Sequence, residues 1–246
     1  MTTTAPSVAP LSKLMNRQEV AECTMAFHFE KPAGWTFKAG QAIDITLLAP
    51  SETDAEGNTR TFSIASGPHE PTLMVATRLR DTAFKRVLKT MPLGTAVKIE
   101  GPSGNLTLHN TAKRAAVLLA GGIGITPFRS IVFRAANEKL PHRIFLFYSN
   151  RRPEDAPFLE ELQTLEKENP NYKLIASMTE MEKSQRPWHG ETGLINADML
   201  ARYLKDAGSS IYYIAGPPGM VKGLHTIVNE TGVDDDDVRT EDFAGY

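Results

Sequence analysis

A single cysteine, Cys23, occurs among 246 residues. No disulfide can form within the chain, and no cysteine-ligated iron–sulfur cluster or zinc site can be built. The six histidines, His28, His69, His109, His142, His189 and His225, are scattered with no pair at metal-ligand spacing, so no metal site is expected. Charge of one sign is also lacking: 27 Lys and Arg face 29 Asp and Glu, a net charge of −2. No long-range field therefore points to nucleic acid or an anionic membrane. No apolar run approaches the ~20 residues that span a bilayer, so no membrane insertion is expected. Residues 1–10 lack the basic start and apolar stretch of a secretory signal and read as a loose polar tail. A cytoplasmic protein is the expectation, with its oligomeric state open.

What is present falls into two rhythms. From about Glu19 to Leu108, short apolar runs such as 42–48 (AIDITLL), 73–77 (LMVAT) and 97–100 (VKIE) alternate with Gly- and Pro-containing turns. That pattern predicts an antiparallel β-barrel or sandwich. One helix interrupts it at 82–89, with Thr82 available as N-cap. From about Lys113 onward, buried-strand runs at 115–120, 144–148, 172–177 and 211–215 alternate with helical segments at 127–139, 156–167, 196–204 and 218–230. Strand–helix alternation of this period predicts βαβ units on a parallel sheet covered on both faces. The fold class expected is thus two-domain: an N-terminal antiparallel β-barrel, residues 1–106, followed by an α/β parallel-sheet domain, residues 107–246.

The first strand of the second half runs into Gly121-Gly122-Ile123-Gly124-Ile125-Thr126-Pro127. Glycines let a backbone approach an anion and adopt positive φ. Thr126 is expected to cap the helix and Pro127 to occupy its first position, leaving free N–H groups that favour a pyrophosphate. Such turns lie at the carboxyl ends of parallel strands, where ligands of open sheets bind.

Gly-Gly-x-Gly-x-Thr-Pro resembles the nucleotide motif of the ferredoxin–NADP reductase superfamily. Arg60-Thr61-Phe62-Ser63 is similar to that superfamily's barrel motif Arg-x-Tyr-Ser, and Phe37-Lys38-Ala39-Gly40-Gln41 to its Phe-x-Pro-Gly-Gln. Gly216-Pro217 matches its later Gly-Pro. The order is the expected one from residue 37 to the C-terminus. The resemblance implies a flavin-binding barrel and an NAD(P)-binding α/β domain. Arg60 would pair with a flavin phosphate, Phe62 would stack on the isoalloxazine and Ser63 would bond near N5. Thr61, Thr77, Arg78 and Thr82 would belong to the same cofactor site. The usual Gly-x-x-Ser for the FAD pyrophosphate is absent, and Thr82 would serve in a shifted register. FAD is expected rather than FMN.

On the nucleotide side, Gly121, Gly122 and Gly124 would lie at the pyrophosphate, Thr126 and Pro127 beside the nicotinamide, and Gly216 and Pro217 at the hydride-transfer site. Ala215 stands where many relatives have cysteine, so no thiol is available there. Asn150 and Arg151 end the second strand of this half. Arginine at that point suits the 2′-phosphate of NADP, where NAD-selective sites carry a carboxylate; NADPH is therefore expected, with NADH the other candidate. The tail contains Glu241, Phe243 and Tyr246. By resemblance, Phe243 would cover the flavin face and Glu241 would relay a proton; Tyr246, beyond the family's usual end, would shield the adenine or the flavin, or fray. The residues assigned to catalysis are Ser63, Glu241 and Phe243. The acidic run 234–237 reads as a solvated loop.

The function implied is electron exchange between NADP(H) and a one-electron carrier such as ferredoxin or flavodoxin. Two other readings stay open: the reductase component of a multi-component oxygenase, and a flavin- or nucleotide-binding regulatory subunit without turnover.

Overall fold

The computed structural model describes residues 10–243. Its first half contains β1 (Leu11–Ala21), β2 (Thr24–Glu30), β3 (Ala42–Leu47), β4 (Thr59–Ser63), β5 (Thr72–Arg78) and β6 (Ala96–Ser103), with α1 (Ala83–Thr90) between β5 and β6. They form one antiparallel sheet in the order β4-β3-β6-β1-β2-β5. The sheet curls until its two edge strands, β4 and β5, come into contact, which gives the expected barrel-like half. Phe27, Phe29, Ile43, Ile45, Val75 and Ile99 fill its interior. Thr82 caps α1 as predicted, its hydroxyl accepting from the Lys85 N–H at 3.4 Å. Ala83, Phe84, Val87 and Leu88 turn the helix's apolar stripe inward.

β1 is longer than its sequence pattern suggests. Its pairing with β2 shifts register between Leu14 and Asn16 and again between Glu19 and Ala21. Each irregularity breaks the two-residue alternation that marks a half-buried strand.

The second half holds β7 (Ala115–Gly121), β8 (Ile144–Asn150), β9 (Tyr172–Met178), β10 (Glu191–Thr192), β11 (Ser210–Gly216) and β12 (Val238–Asp242). All pairings are parallel, in the order β10-β9-β8-β7-β11-β12. α2 (Ile125–Asn137) and α3 (Leu159–Glu168) cover one face, and α4 (Ala197–Leu204) and α5 (Pro218–Glu230) the other. Every residue of β7 is buried, as a central strand with helices on both sides requires. α3 begins at Leu159 rather than 156, because Pro153–Asp155 form a 3₁₀ turn and Phe158 takes a left-handed φ of 62°.

Asp234 to Asp236 are exposed, as expected of a solvated loop, and Asp237 is half-buried. Asp237 receives both terminal nitrogens of Arg114, and Asp235 accepts from Asn229 at 2.6 Å. The segment also ties the start of β7 to β12. No pattern in the sequence marks strand β12 itself; it pairs with β11 from Tyr212↔Val238 to Gly216↔Asp242.

The core beneath α2 crosses between the halves. Ala26, Ala39, Ala65 and Ala76 of the barrel pack with Phe128, Ile131 and Val132 of α2. Small side chains on the barrel's outer face let the helix approach closely.

Candidate active site

A cleft of about 380 Å³ opens where the barrel's edge strands meet the nucleotide-type turn. Arg60, Thr61, Phe62, Ser63, Thr77, Arg78, Thr82, Thr126 and Phe243, named from sequence, all line it. Four separate stretches of chain supply them. β4 brings Arg60 to Ser63, β5 and the start of α1 bring Thr77 to Thr82, and the far half brings Thr126 and Phe243.

Ser63 ends β4 and is buried. Its Oγ donates to Oε1 of Glu241 at 3.0 Å, across 178 residues of sequence. Glu241 gets there because β12 places it opposite Ala215 on β11, and the Phe243 N–H donates to the Gly216 carbonyl at 3.0 Å. Burial raises the Glu241 pKa and the Asp242 charge adds to that, while the Ser63 hydrogen bond opposes it. Burial outweighs the Ser63 hydrogen bond, so the net shift of the Glu241 carboxyl is upward.

The other end of the cleft is cationic. Arg60, Arg78, Arg80 and Lys85 all line it. Arg60 is held by the 54–59 loop, donating to the carbonyls of Glu56 (2.9 Å) and Thr59 (2.8 Å) and to the Glu56 carboxylate at 2.7 Å. Burial lowers the Lys85 pKa, and the charges of Arg80 and Arg60 lower it further. Crowded like charges are relieved by an anion, so the residues present fit the phosphates of a flavin dinucleotide. Phe62 is half-exposed in the same cleft, its ring tilted against Phe84 at 5.9 Å, and supplies an aromatic face for a planar ring system. Nothing in the sequence marks Arg80; it lies two residues beyond the end of β5, and only the curl of the sheet brings it in.

The glycine turn differs in detail from its sequence reading. Gly122–Gly124 form a 3₁₀ turn that runs directly into α2 at Ile125. Thr126 is therefore not the N-cap, and Pro127 is not the first helical residue. The Thr126 hydroxyl donates back to the Ile123 carbonyl at 3.0 Å. The glycines also divide their work. A Cβ on Gly124 would meet the Ala215 carbonyl oxygen at 2.2 Å, and one on Gly121 would collide with the Met220 sulfur. Only Gly122, at φ 53°, faces open space and leaves its backbone accessible. Gly121 thus packs against α5, while Gly124 and Gly216 keep the turn close to β11.

Asn150 and Arg151 lie outside the cleft, at the carboxyl end of β8. Asn150 is buried, and both polar atoms of its amide lack a partner. Arg151 is 64% exposed and 3.7 Å from Glu180. Its neighbour Arg152 is engaged by Asp155 and by Glu22 of the barrel. Tyr246 lies outside the described residues.

A curled antiparallel sheet carrying an aromatic and cationic cleft, joined to a parallel sheet with a glycine turn, is the fold of flavin- and nicotinamide-dependent reductases. The chain has the fold of ferredoxin–NADP reductases, and its residues 118–226 match the oxidoreductase NAD-binding domain family. It is 31% identical over 156 residues to a component of the Na(+)-translocating NADH-quinone reductase of Methylococcus capsulatus, covering 62% of this chain and 38% of that protein. It is 25% identical over 224 residues to the reductase component of the glycine betaine monooxygenase of Chromohalobacter salexigens, covering 90% of this chain and 60% of that one. The chain thus spans less than two thirds of these relatives' length. Among solved structures, the FAD/NAD-binding domain of nitric oxide dioxygenase from Vibrio cholerae superposes with a TM-score of 0.82 at 17% identity, covering 96% of this chain and 98% of that one. A ferredoxin NADP+ reductase from Neisseria gonorrhoeae with bound FAD and NADP gives 0.77 at 20%, covering 96% and 99%. At these identities the structural matches speak for the fold.

Proposed function

We propose that the chain is an NAD(P)H-dependent flavoprotein reductase that takes hydride from NADPH and delivers electrons singly to a separate carrier, of the ferredoxin, flavodoxin or oxygenase-component kind. The observation that carries this reading is the Ser63–Glu241 hydrogen bond at 3.0 Å. It joins the barrel motif to β12 beside the cleft that Ser63, Thr126 and Phe243 line.

Bound FAD supplies the exchange between two-electron and one-electron transfer. Arg60, Arg80 and Lys85 would hold its phosphates. Phe62 offers a stacking face, and Ser63 a hydroxyl at the edge where hydride arrives. Glu241, bonded to that hydroxyl and with its pKa raised by burial, would relay a proton there. Phe243 covers the face that nicotinamide must reach and yields as it binds. Asn150, with its unpaired buried amide, and Arg151 receive the adenosine end, the arginine favouring a 2′-phosphate. Residues 1–106 thus serve the flavin and residues 107–246 the nicotinamide nucleotide.

A second reading, the reductase component of an oxygenase, draws on the Chromohalobacter relative, whose similarity extends over both sheets of this chain. The two readings differ only in the acceptor. A regulatory subunit without turnover fits less well, because a binder has no use for a half-buried carboxyl bonded to Ser63 on the reactive edge. A cytoplasmic location goes with the reductase reading. No helix among the described residues is long and apolar enough to cross a membrane.

Anaerobic mixing of the purified protein with NADPH and then NADH tests the reading. Rapid bleaching of a bound flavin spectrum by NADPH is expected. A bound flavin that neither nucleotide bleaches, or a protein that binds no flavin, overturns it.

A further inference from the structure

Arg129 is buried on α2, three residues beyond Thr126, and does not line the cleft. Arginine carries five N–H donors in a rigid fork, and here all five are engaged. Nη1 donates to the Ala65 carbonyl at 2.9 Å and to Glu70 at 3.0 Å. Nη2 donates to Glu70 at 3.3 Å and to Glu161 at 2.7 Å, and Nε to Glu161 at 3.0 Å. The guanidinium also lies over the rings of Phe133 at 4.1 Å and Phe158 at 5.1 Å. Ser130, fully buried, donates to the Ser66 carbonyl at 2.7 Å.

The chain positions of these contacts are what matter. Ala65 and Ser66 follow Ser63 by two and three residues, and Arg129 and Ser130 follow Thr126 by three and four. Two adjacent side chains of α2 thus grip two adjacent carbonyls of the segment that leaves β4. The rest of the clamp is Glu70 of the barrel and Glu161 of α3. The path from the Ser63 hydroxyl to the Thr126 turn runs through these bonds.

We infer that Arg129, assisted by Ser130, is a positioning residue that sets the separation and angle between the flavin-side strand and the nicotinamide-side turn, and thereby the hydride-transfer geometry. The inference rests on the proposed reductase reading. Transfer between two bound ring systems is sensitive to placement, and a displacement of about 1 Å can cost about 100-fold. Lysine cannot replace the fork, because a single ammonium cannot span a carbonyl and two carboxylates at once.

The test uses the full chain with its flavin, comparing wild type with Arg129→Lys, Arg129→Ala and Ser130→Ala. The rate of flavin reduction by NADPH is measured per bound flavin by anaerobic stopped flow. In parallel, electron paramagnetic distance measurements use spin labels on the exposed natural Cys23 and on a Lys222→Cys substitution on exposed α5. Expected are retained flavin, nucleotide affinity within about two-fold of wild type and a reduction rate about 10- to 100-fold lower for the Arg129 variants. The label–label distribution should broaden, and Ser130→Ala should shift both readouts in the same direction by less. Unchanged rate per bound flavin overturns the proposal, whether or not the distribution broadens. If the Arg129 variants lose flavin altogether, Ser130→Ala decides by the same two readouts. A wild-type flavin that nicotinamide never bleaches overturns the reductase reading instead, and the distance distributions still show whether Arg129 holds the two halves in register.

Discussion

Replacing Gly124 with alanine should damage both stability and electron transfer, for a reason visible in the packing of the turn. An added Cβ would meet the Ala215 carbonyl oxygen at 2.2 Å, its carbon at 2.5 Å and the Gly216 Cα at 2.7 Å. All three are backbone atoms of β11, which is hydrogen-bonded to β7 on one side and β12 on the other. Neither neighbour can swing aside as a flexible side chain would, so the turn must retreat by about 1 Å to clear the contact. Overpacking of this kind costs about 1–3 kcal/mol. In a chain of this size that lowers Tm by about 2 to 12 °C. The same retreat carries Thr126 away from the cleft, and a misplacement of about 1 Å can reduce the rate about 100-fold. Differential scanning calorimetry and anaerobic stopped-flow reduction by NADPH measure the two effects on one preparation. Gly223→Ala on α5 is the matched control, since nothing lies within 4 Å of a Cβ there. A Gly124→Ala protein with wild-type Tm and wild-type reduction rate would refute the packing argument.

Gly223→Ala itself should stabilise by about 0.5–1 kcal/mol, because glycine inside a helix pays extra conformational entropy; denaturant midpoints check this, and a lower midpoint contradicts it. Glu241→Gln should change the pH dependence of stability. The folded protein holds the Glu241 proton more tightly than the unfolded chain does, so wild-type stability falls as pH rises from the unfolded value through the raised folded one. Glutamine removes that decline. Unfolding curves on either side of the carboxylate range should show the variant gaining on wild type toward higher pH, and parallel profiles would count against the raised pKa. Arg151→Ala should weaken NADPH use by about tenfold, an effect of ~1.4 kcal/mol, while leaving NADH use within about two-fold; equal losses for both nucleotides would remove the arginine from the 2′-phosphate site.

Much of the architecture is legible in the chain because its signals are local. The run at 115–120 has no polar residue, and strands buried on both faces read that way wherever they occur. Alternation with amphipathic helices then implies a parallel sheet. Thr82 is recognisable as a cap because capping depends on residues within one turn. The motif residues stand out because glycine, arginine and serine are required at short fixed spacings. β1 escapes because its register shifts erase alternation, and β12 because a short edge strand with charged residues looks like loop.

The sequence by itself determined most of the strands, the helices and the glycine turn, since those follow from periodicity, caps and glycines within a few residues. Only the tertiary structure decided what those segments do together. Ser63 and Glu241 meet across 178 positions because β12 pairs in register with β11. The cationic end of the cleft exists because the barrel's two edge strands curl into contact. Thr126 donates to Ile123 rather than capping a helix, because the 3₁₀ turn before it has already begun the helical winding. Arg129, unmarked in the sequence, is fully engaged because three separate elements converge on one guanidinium. Contacts between segments far apart in the chain depend on how those segments pack, and no local pattern encodes that packing.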